Sequence, residues 1–201
     1  MASHERSGTH FLMNTLSLNF GYISMPWIDI DIEQVFNPFA KENFYYMQLN
    51  DYEGVPVLNT FKTHFQADFF LPILDQLLKE YWIFYIHRDG TDVMESFARH
   101  LNFHEWDAGP KVSDGKELAQ AEPAGYLMRY QKAQISDMWQ RWKDHIKGWT
   151  LLPEKYRRQI IYVKFEDLNE RFEKTVRDIG IKMGCDTVSL TRPNKHENVM
   201  A

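Results

Sequence analysis

Three apolar runs along this chain have the length and composition of β-strands. Apolar and aromatic residues dominate 81–87 (YWIFYIH) and 160–165 (IIYVKF), a pattern typical of strands buried on both faces of a parallel sheet. A shorter run at 55–61, which contains β-branched residues, predicts a third strand that ends at Lys62. These runs would form the interior of the fold.

Helical periodicity fills most of the sequence between and after these runs. It covers five segments, at 11–20, 69–80, 91–101, 126–149 and 166–183. In the third segment, Val93, Phe97 and Leu101 recur four residues apart on one face. Strand and helix therefore alternate, which predicts an α/β fold with a mostly parallel central sheet flanked by helices. In such sheets, ligands bind beyond the carboxyl ends of the strands.

Length and composition favour a single domain over residues 1–201. The chain is 44% hydrophobic and 15% aromatic, which is enough to bury a core. Two segments lack a clear period, and we expect a flap at about 36–54 and a loop over the site at about 102–120. The flap aromatics are equally compatible with an apolar or carbohydrate-stacking pocket and with simple packing: Phe36, Phe39, Phe44, Tyr45, Tyr46 and Tyr52.

Charge and cysteine content exclude several classes of protein. A formal net charge of -5 argues against a non-specific nucleic-acid binder, which needs a broad basic surface. The single cysteine, Cys185, excludes an intramolecular disulfide and a cysteine-based zinc cluster. No apolar run reaches about 18 residues, and residues 1–8 are polar, so we expect neither a membrane span nor a secretory signal. These features predict a soluble, cytoplasmic protein.

A segment with the composition of an anion-binding loop opens the first helix, at 4–10 (HERSGTH). Gly8 allows close backbone approach, Ser7 and Thr9 supply hydroxyl donors, and Arg6 supplies a bidentate charge. Backbone N–H groups at a helix start also favour a phosphate. The G-x-x-x-x-G-K-[ST] pattern of metal-assisted NTPases is absent, and an ordinary capped helix start would use the same residue types.

Arg88 and Ser96 form a second candidate anion site. Arg88 follows the strand at 81–87, and Ser96 lies eight residues later on the next helix, so both can reach one phosphate. The alternative is that Arg88 pairs with Asp89 or Asp92 and that Ser96 is an incidental helix residue.

Lys62 and His64 follow the strand at 55–61 and are two residues apart. Side chains alternate along a strand, so both would face one site. Histidine is suited to accept a proton from an acceptor hydroxyl, and lysine can stabilise charge on a transferred group. A lone histidine is more often structural, so this pair is weak evidence by itself.

Taken together, the ordered motifs HERSGTHF, FKTHF, YIHRDGTDVMESFARH and VKFEDLNERFEKTVRDIG resemble the PAPS-dependent sulfotransferase family, over about residues 4–183. The resemblance implies a P-loop-like sulfotransferase fold. It also implies a 5'-phosphosulfate loop in which Arg6 stands where cytosolic members usually carry lysine. The remaining residues of that loop would be Ser7, Gly8, Thr9, His10 and Phe11.

The other motifs receive roles from the same resemblance. Lys62 and His64 match the family's Lys-Thr-His signature, which makes His64 the counterpart of the catalytic base and Lys62 a sulfonate contact. Arg88 and Ser96 match the 3'-phosphate segment. The resemblance also implies that Phe165 would stand beside the adenine, where members commonly carry tyrosine, and that Phe11 would flank the same base or belong to the core.

The implied reaction is in-line transfer of a sulfuryl group from 3'-phosphoadenosine 5'-phosphosulfate (PAPS) to a hydroxyl or amine, which leaves 3'-phosphoadenosine 5'-phosphate (PAP). No metal is implied, and the acceptor is a small molecule or a glycan. Two departures stand out. Only residues 1–4 are left for the first strand, and the family's C-terminal Arg-Lys-Gly segment is replaced at best by Arg192 and Lys195.

Two rival functions remain at the level of sequence. A P-loop-type small-molecule kinase would need a Walker lysine and magnesium ligands, and neither is visible. A nucleotide-binding protein with a decayed site would fit the short first strand, although Lys62 and His64 are both present. A metal site has no recognised ligand spacing, and we interpret its candidates as solvated surface: His100, His104, Glu105 and Asp107.

Overall fold

Parallel strands form the centre of the computed structural model, which describes residues 1–29, 59–103, 109–123, 135–186 and 189–194. The strands are β1 (Ala2–Ser3), β2 (Ile23–Asp29), β3 (Asn59–Lys62), β4 (Ile83–His87) and β5 (Ile160–Lys164). β1 pairs with β4, β4 with β5, and β2 with β3, all in parallel. A parallel bridge between Ala2 and Thr63 joins the two sets, so the strands follow the order β2-β3-β1-β4-β5.

Eight helices connect or flank these strands in the described residues. They are α1 (Thr9–Phe20), α2 (Leu74–Glu80), α3 (Gly90–Phe103), α4 (Gly115–Gln120), α5 (Met138–Thr150), α6 (Glu154–Arg157), α7 (Phe165–Glu170) and α8 (Phe172–Met183). None of the described helices is both long and apolar enough to cross a membrane. The predicted α/β fold with a parallel sheet between helices is confirmed.

The core lies on both faces of the sheet, as the continuous apolar run at 81–87 predicts. Along β4, Ile83 and Tyr85 pack with Trp149 of α5 on one face. Phe84 and Ile86 pack with α1 and α8 on the other. A third cluster joins α3, α4 and α5, and the predicted helix face of Val93, Phe97 and Leu101 is fully buried in it.

Several predicted boundaries are corrected by the structure. The segment at 102–120 is not one loop, because α3 continues to Phe103 and α4 begins at Gly115, where the Asp114 side chain accepts from the Glu117 amide. The predicted helix at 69–80 starts with two 3-10 turns, and that at 166–183 breaks at Arg171. Strand β2 had no prediction. The flap at 36–54, residues 55–58 and residues 126–134 lie outside the described residues.

Candidate functional site

The order of the strands brings all the predicted motifs to one edge of the sheet. Residues 4–8 follow β1, His64 follows β3, Arg88 follows β4 and Phe165 follows β5. These four strands are neighbours and run parallel, so their carboxyl ends lie at the same edge. The candidate site is therefore a single region assembled from distant parts of the sequence.

The loop between β1 and α1, which we call the anion loop (residues 4–8), has an unusual backbone. Arg6 has φ 63° and Gly8 has φ 96°, both in the left-handed region. A Cβ atom at Gly8 would lie 2.4 Å from Cδ2 of Phe165, so the loop and the start of α7 are in close contact. Ser7 is fully buried, and its Oγ has no hydrogen-bond partner within the described residues. A buried donor of this kind suits an anion.

Arg6 joins the first two motifs. Its Nε donates to Ser96 Oγ on α3 over 3.2 Å, and its Nη1 lies 3.5 Å from His100 Nδ1. Arg6 and Ser96 are 90 residues apart in sequence, and the structure brings them into contact. His100 was interpreted from the sequence as solvated surface. Its position one helical turn after Ser96 is the signal that could have placed it beside the site.

Arg88 makes the ion pair that the sequence offered as an alternative. Its Nη2 donates to Asp92 Oδ2 over 3.0 Å, whereas Asp89 accepts from the Thr91 amide at the start of α3. The guanidinium also lies 4.5 Å from the centre of the Phe165 ring. Arg88 Nε is buried and has no hydrogen-bond partner among the described residues. Because Asp92 is largely exposed, this ion pair contributes little and leaves Arg88 able to bind an anion.

His64 is held in a defined orientation by β1. Its Nδ1 lies 3.0 Å from the carbonyl oxygen of Ser3 and 3.3 Å from Ser3 Oγ. A carbonyl oxygen only accepts, so in the neutral ring the proton is on Nδ1 and the lone pair is on Nε2. Lys62 Nζ lies 3.3 Å from His10 Nε2, which links the end of β3 to the start of α1.

The aromatic residues of the site divide into two groups. Phe11 is 4% exposed and packs in the core at 6.2 Å from the Phe165 ring, which favours a core role over contact with a base. Phe165 lies between the anion loop and Arg88. Arg192 lies 5.7 Å from the Phe11 ring and donates to the carbonyl oxygen of Asn169 over 2.7 Å. Lys195 lies outside the described residues.

An apolar cavity of about 100 Å³ lies near the amino ends of β1 and β4. Its lining includes Met1, Trp82 and Ile83, and also Thr63, which lies between Lys62 and His64 in the sequence. No group of three or more metal-ligating side chains occurs in the part of the chain that the structure describes. Three of the residues weighed as metal ligands, His104, Glu105 and Asp107, fall outside that part.

Sequence reasoning missed one buried pair at this edge, formed by Glu5 of the anion loop and Arg141 of α5. A signal for it exists in the periodicity of the helix. The buried face of α5 consists of Met138, Arg141, His145 and Trp149, so an arginine occupies an apolar stripe. A charged residue at such a position needs a buried partner.

A model of the sulfotransferase domain matches residues 1–196, and the chain belongs to this family. Mouse sulfotransferase SULT7A1, solved in complex with PAP, is similar in structure, with a TM-score of 0.58 and 17% sequence identity. Retinol dehydratase, solved in complex with androsterone and the inactive cofactor PAP, gives 0.54 and 18%. At these identities the two likenesses show the fold.

The two solved structures are considerably longer than this chain. The match to SULT7A1 covers 92% of the present chain and 57% of the other, and the match to retinol dehydratase covers 95% and 60%. The chain thus spans less than two thirds of either protein. No curated protein matches the sequence.

Proposed function

We propose that this protein is a PAPS-dependent sulfotransferase that acts on a hydroxyl or amine of a small molecule or a glycan. The observation that carries the proposal is the contact of Arg6 with Ser96, because it joins the candidate loop for the 5'-phosphosulfate to the candidate site for the 3'-phosphate. A doubly phosphorylated adenosine needs these two anion sites side by side. We further propose a cytoplasmic location, which a single, unpaired cysteine supports.

The residues present fit the donor nucleotide. Ser7 Oγ and Arg88 Nε are buried donors without partners among the described residues, and the 5'- and 3'-phosphates of the donor would each satisfy one of them. Phe165 leaves no space for a side chain at Gly8, so the backbone of Gly8 itself faces this part of the site. The 5'-phosphosulfate would contact residues 6–10, and the 3'-phosphate would contact Arg88 and Ser96.

PAPS supplies the sulfuryl group, and the residues of the chain supply a base and positive charge. His64 would accept the acceptor's proton at Nε2, while the Ser3 carbonyl holds Nδ1–H and stabilises the imidazolium that forms. Arg6 and Lys62 would stabilise negative charge that develops during transfer. Positioning and charge stabilisation suffice for such a reaction, as in phosphoryl transfer.

A thermal-shift experiment with two nucleotides tests this function. PAP should raise the melting temperature, and ADP with magnesium should leave it unchanged. The reverse pattern would favour the small-molecule kinase. Labelled PAPS should then be offered with phenols, alcohols, amines and glycans. Binding of PAP without transfer to any of them would indicate a nucleotide-binding protein with a decayed site.

A further inference from the structure

A charged pair is buried at the base of the anion loop, and the proposed transfer does not use it. Arg141 of α5 donates from Nη1 to Glu5 Oε2 over 2.9 Å and from Nη2 to Glu5 Oε1 over 2.8 Å. The two side chains are 2% and 7% exposed. Two parallel hydrogen bonds between planar groups fix orientation as well as distance.

Arg141 also restrains the main chain of Glu5 through His4. Its Nη1 lies 2.8 Å from His4 Nε2, and because arginine only donates, Nε2 accepts. The ring proton is then on Nδ1, which lies 3.0 Å from the carbonyl oxygen of Glu5 and donates to it. Burial lowers the pKa of His4 to about 3, so the ring is neutral at pH 7. Both the carboxylate and the carbonyl of Glu5 are therefore held.

This restraint acts on the residue immediately before the strained one. Arg6 has φ 63°, a conformation that non-glycine residues keep only where their surroundings enforce it. In this conformation the Arg6 side chain reaches Ser96 on α3. Releasing Glu5 would let Arg6 return to an ordinary backbone conformation, and its side chain would then no longer point toward Ser96.

Stability alone is a weak explanation for the pair. Removing two charges from water offsets most of their mutual attraction, and apolar residues of similar volume often stabilise a fold equally well. A buried, doubly hydrogen-bonded pair does impose one defined geometry. In this chain the pair fixes the position of Glu5, which belongs to the anion loop at the centre of the candidate site.

We propose that Arg141 is a positioning residue for the sulfate donor. It holds residues 4–8 in the conformation that presents Arg6 and Ser7 to the 5'-phosphosulfate, and it does not touch the donor itself. The inference rests on the proposed function, which supplies the ligand of the loop. Arg88 and Ser96, the candidate 3'-phosphate residues, follow β4 and lie on α3, so they keep their own positions when the loop is released. Losing the restraint therefore weakens binding of the 5'-phosphate more than binding of the 3'-phosphate.

The variant Arg141→Lys tests this role, because it keeps the charge and removes the fork. Calorimetry should show PAP binding about tenfold or more weaker, while adenosine 3'-phosphate, which lacks the 5'-phosphate, binds within about twofold of wild type. Arg157→Lys on α6 is the matched control, since Arg157 pairs with Glu154 at the surface. Equal losses for both ligands, or an unchanged PAP affinity, would overturn the positioning role.

Amide hydrogen exchange in the absence of nucleotide separates this inference from the proposed function. Residues 4–9 should exchange faster in Arg141→Lys and at the wild-type rate in Arg157→Lys. Unchanged exchange in Arg141→Lys removes the positioning role whatever the ligand is. A wild-type protein that binds no PAP, combined with faster exchange in Arg141→Lys, removes the donor as ligand and leaves Arg141 as the residue that holds the loop.

Discussion

The carbonyl oxygen of Ser3 determines which nitrogen of His64 can act as a base. It accepts from Nδ1 at 3.0 Å and so leaves the lone pair on Nε2. Ser3 Oγ also lies 2.6 Å from Thr9 Oγ1, which ties this orientation to the first residue of α1. A second group that orients the base is typical of sites that carry out proton transfer.

The variant His64→Asn should separate proton transfer from nucleotide binding. Asparagine can keep a donor near the Ser3 carbonyl but has no basic nitrogen. Turnover should fall by about 100-fold or more, the usual contribution of a general base, while PAP affinity measured by calorimetry stays close to wild type. Turnover at the wild-type rate would exclude His64 as the base.

Replacing Arg88 with alanine should weaken nucleotide binding, because the 3'-phosphate loses a charged hydrogen-bond donor. Loss of a charge-assisted hydrogen bond costs about 1.5 to 3 kcal/mol, or about 10- to 150-fold in the dissociation constant for PAP. Adenosine 5'-phosphate should bind the variant and the wild type alike. Arg99→Ala is the control, because Arg99 pairs with Glu95 at the surface of α3, the helix that follows Arg88. An unchanged constant for PAP in Arg88→Ala would contradict the assignment.

Among the elements, those with the strongest pattern were predicted best. The run at 81–87 and the face of Val93, Phe97 and Leu101 gave β4 and α3 within two residues of their observed bounds. β2 has no prediction because Pro26 and polar residues interrupt its apolar pattern, and its pairing with β3 comes from the tertiary structure. α4 is short, and its polar composition reads as a loop until Asp114 is recognised as a cap.

The two ends of α1 allow the close contact of Gly8 to be measured separately from its backbone strain. Gly8 and Gly21 flank this helix, and both have positive φ. A Cβ at Gly8 would meet Phe165 at 2.4 Å, whereas one at Gly21 would meet nothing within 4 Å.

Gly21→Ala should therefore cost about 1 kcal/mol of unfolding free energy from the backbone alone. Gly8→Ala should cost at least about 1 kcal/mol more, since packing Phe165 elsewhere adds strain, and it should also weaken PAP binding. Urea unfolding and calorimetry give both quantities. Equal effects of the two substitutions would show that the Phe165 contact is unimportant.

For the molecule as a whole, the sequence could predict which candidate residues lie at one edge of the sheet but not which contacts they make there. Residues at strand ends are readable, because a parallel sheet places its carboxyl ends together. The contacts of Arg6 with Ser96 and of Glu5 with Arg141 join residues 90 and 136 positions apart. Such pairs depend on how helices pack across the sheet, which local patterns do not specify. The ion pair of Arg88 with Asp92 could be predicted from the sequence, since the two residues are four positions apart.

Acid should destabilise the whole fold through His4. Burial, helped by the charge of Arg141 and opposed by that of Glu5, lowers the pKa of His4 from 6.5 to about 3. Between pH 6.5 and about pH 3 the unfolded state therefore binds more protons than the folded state. The contribution of neutral His4 to the free energy of unfolding is present above about pH 6.5 and is lost as the pH falls.

Between pH 6.5 and 5 this group should account for about 2 kcal/mol of unfolding free energy. Urea unfolding of wild type and His4→Gln at pH 7 and pH 5 measures the contribution. The variant should lose less stability than wild type over this interval. A wild-type loss no larger than that of the variant would show that His4 is not buried as a neutral ring.

The central place of β1 in the strand order has a mechanical consequence. Within the described residues, Ala2 and Ser3 are the seam between β2-β3, which lead to His64, and β4-β5, which lead to Arg88 and Phe165. A slight shear between these two halves would change the distance from His64 to Arg88 and Phe165 while leaving each half intact. A substitution that loosens Ala2 or Ser3 should thus separate His64 from Arg88 at temperatures where both halves are still native.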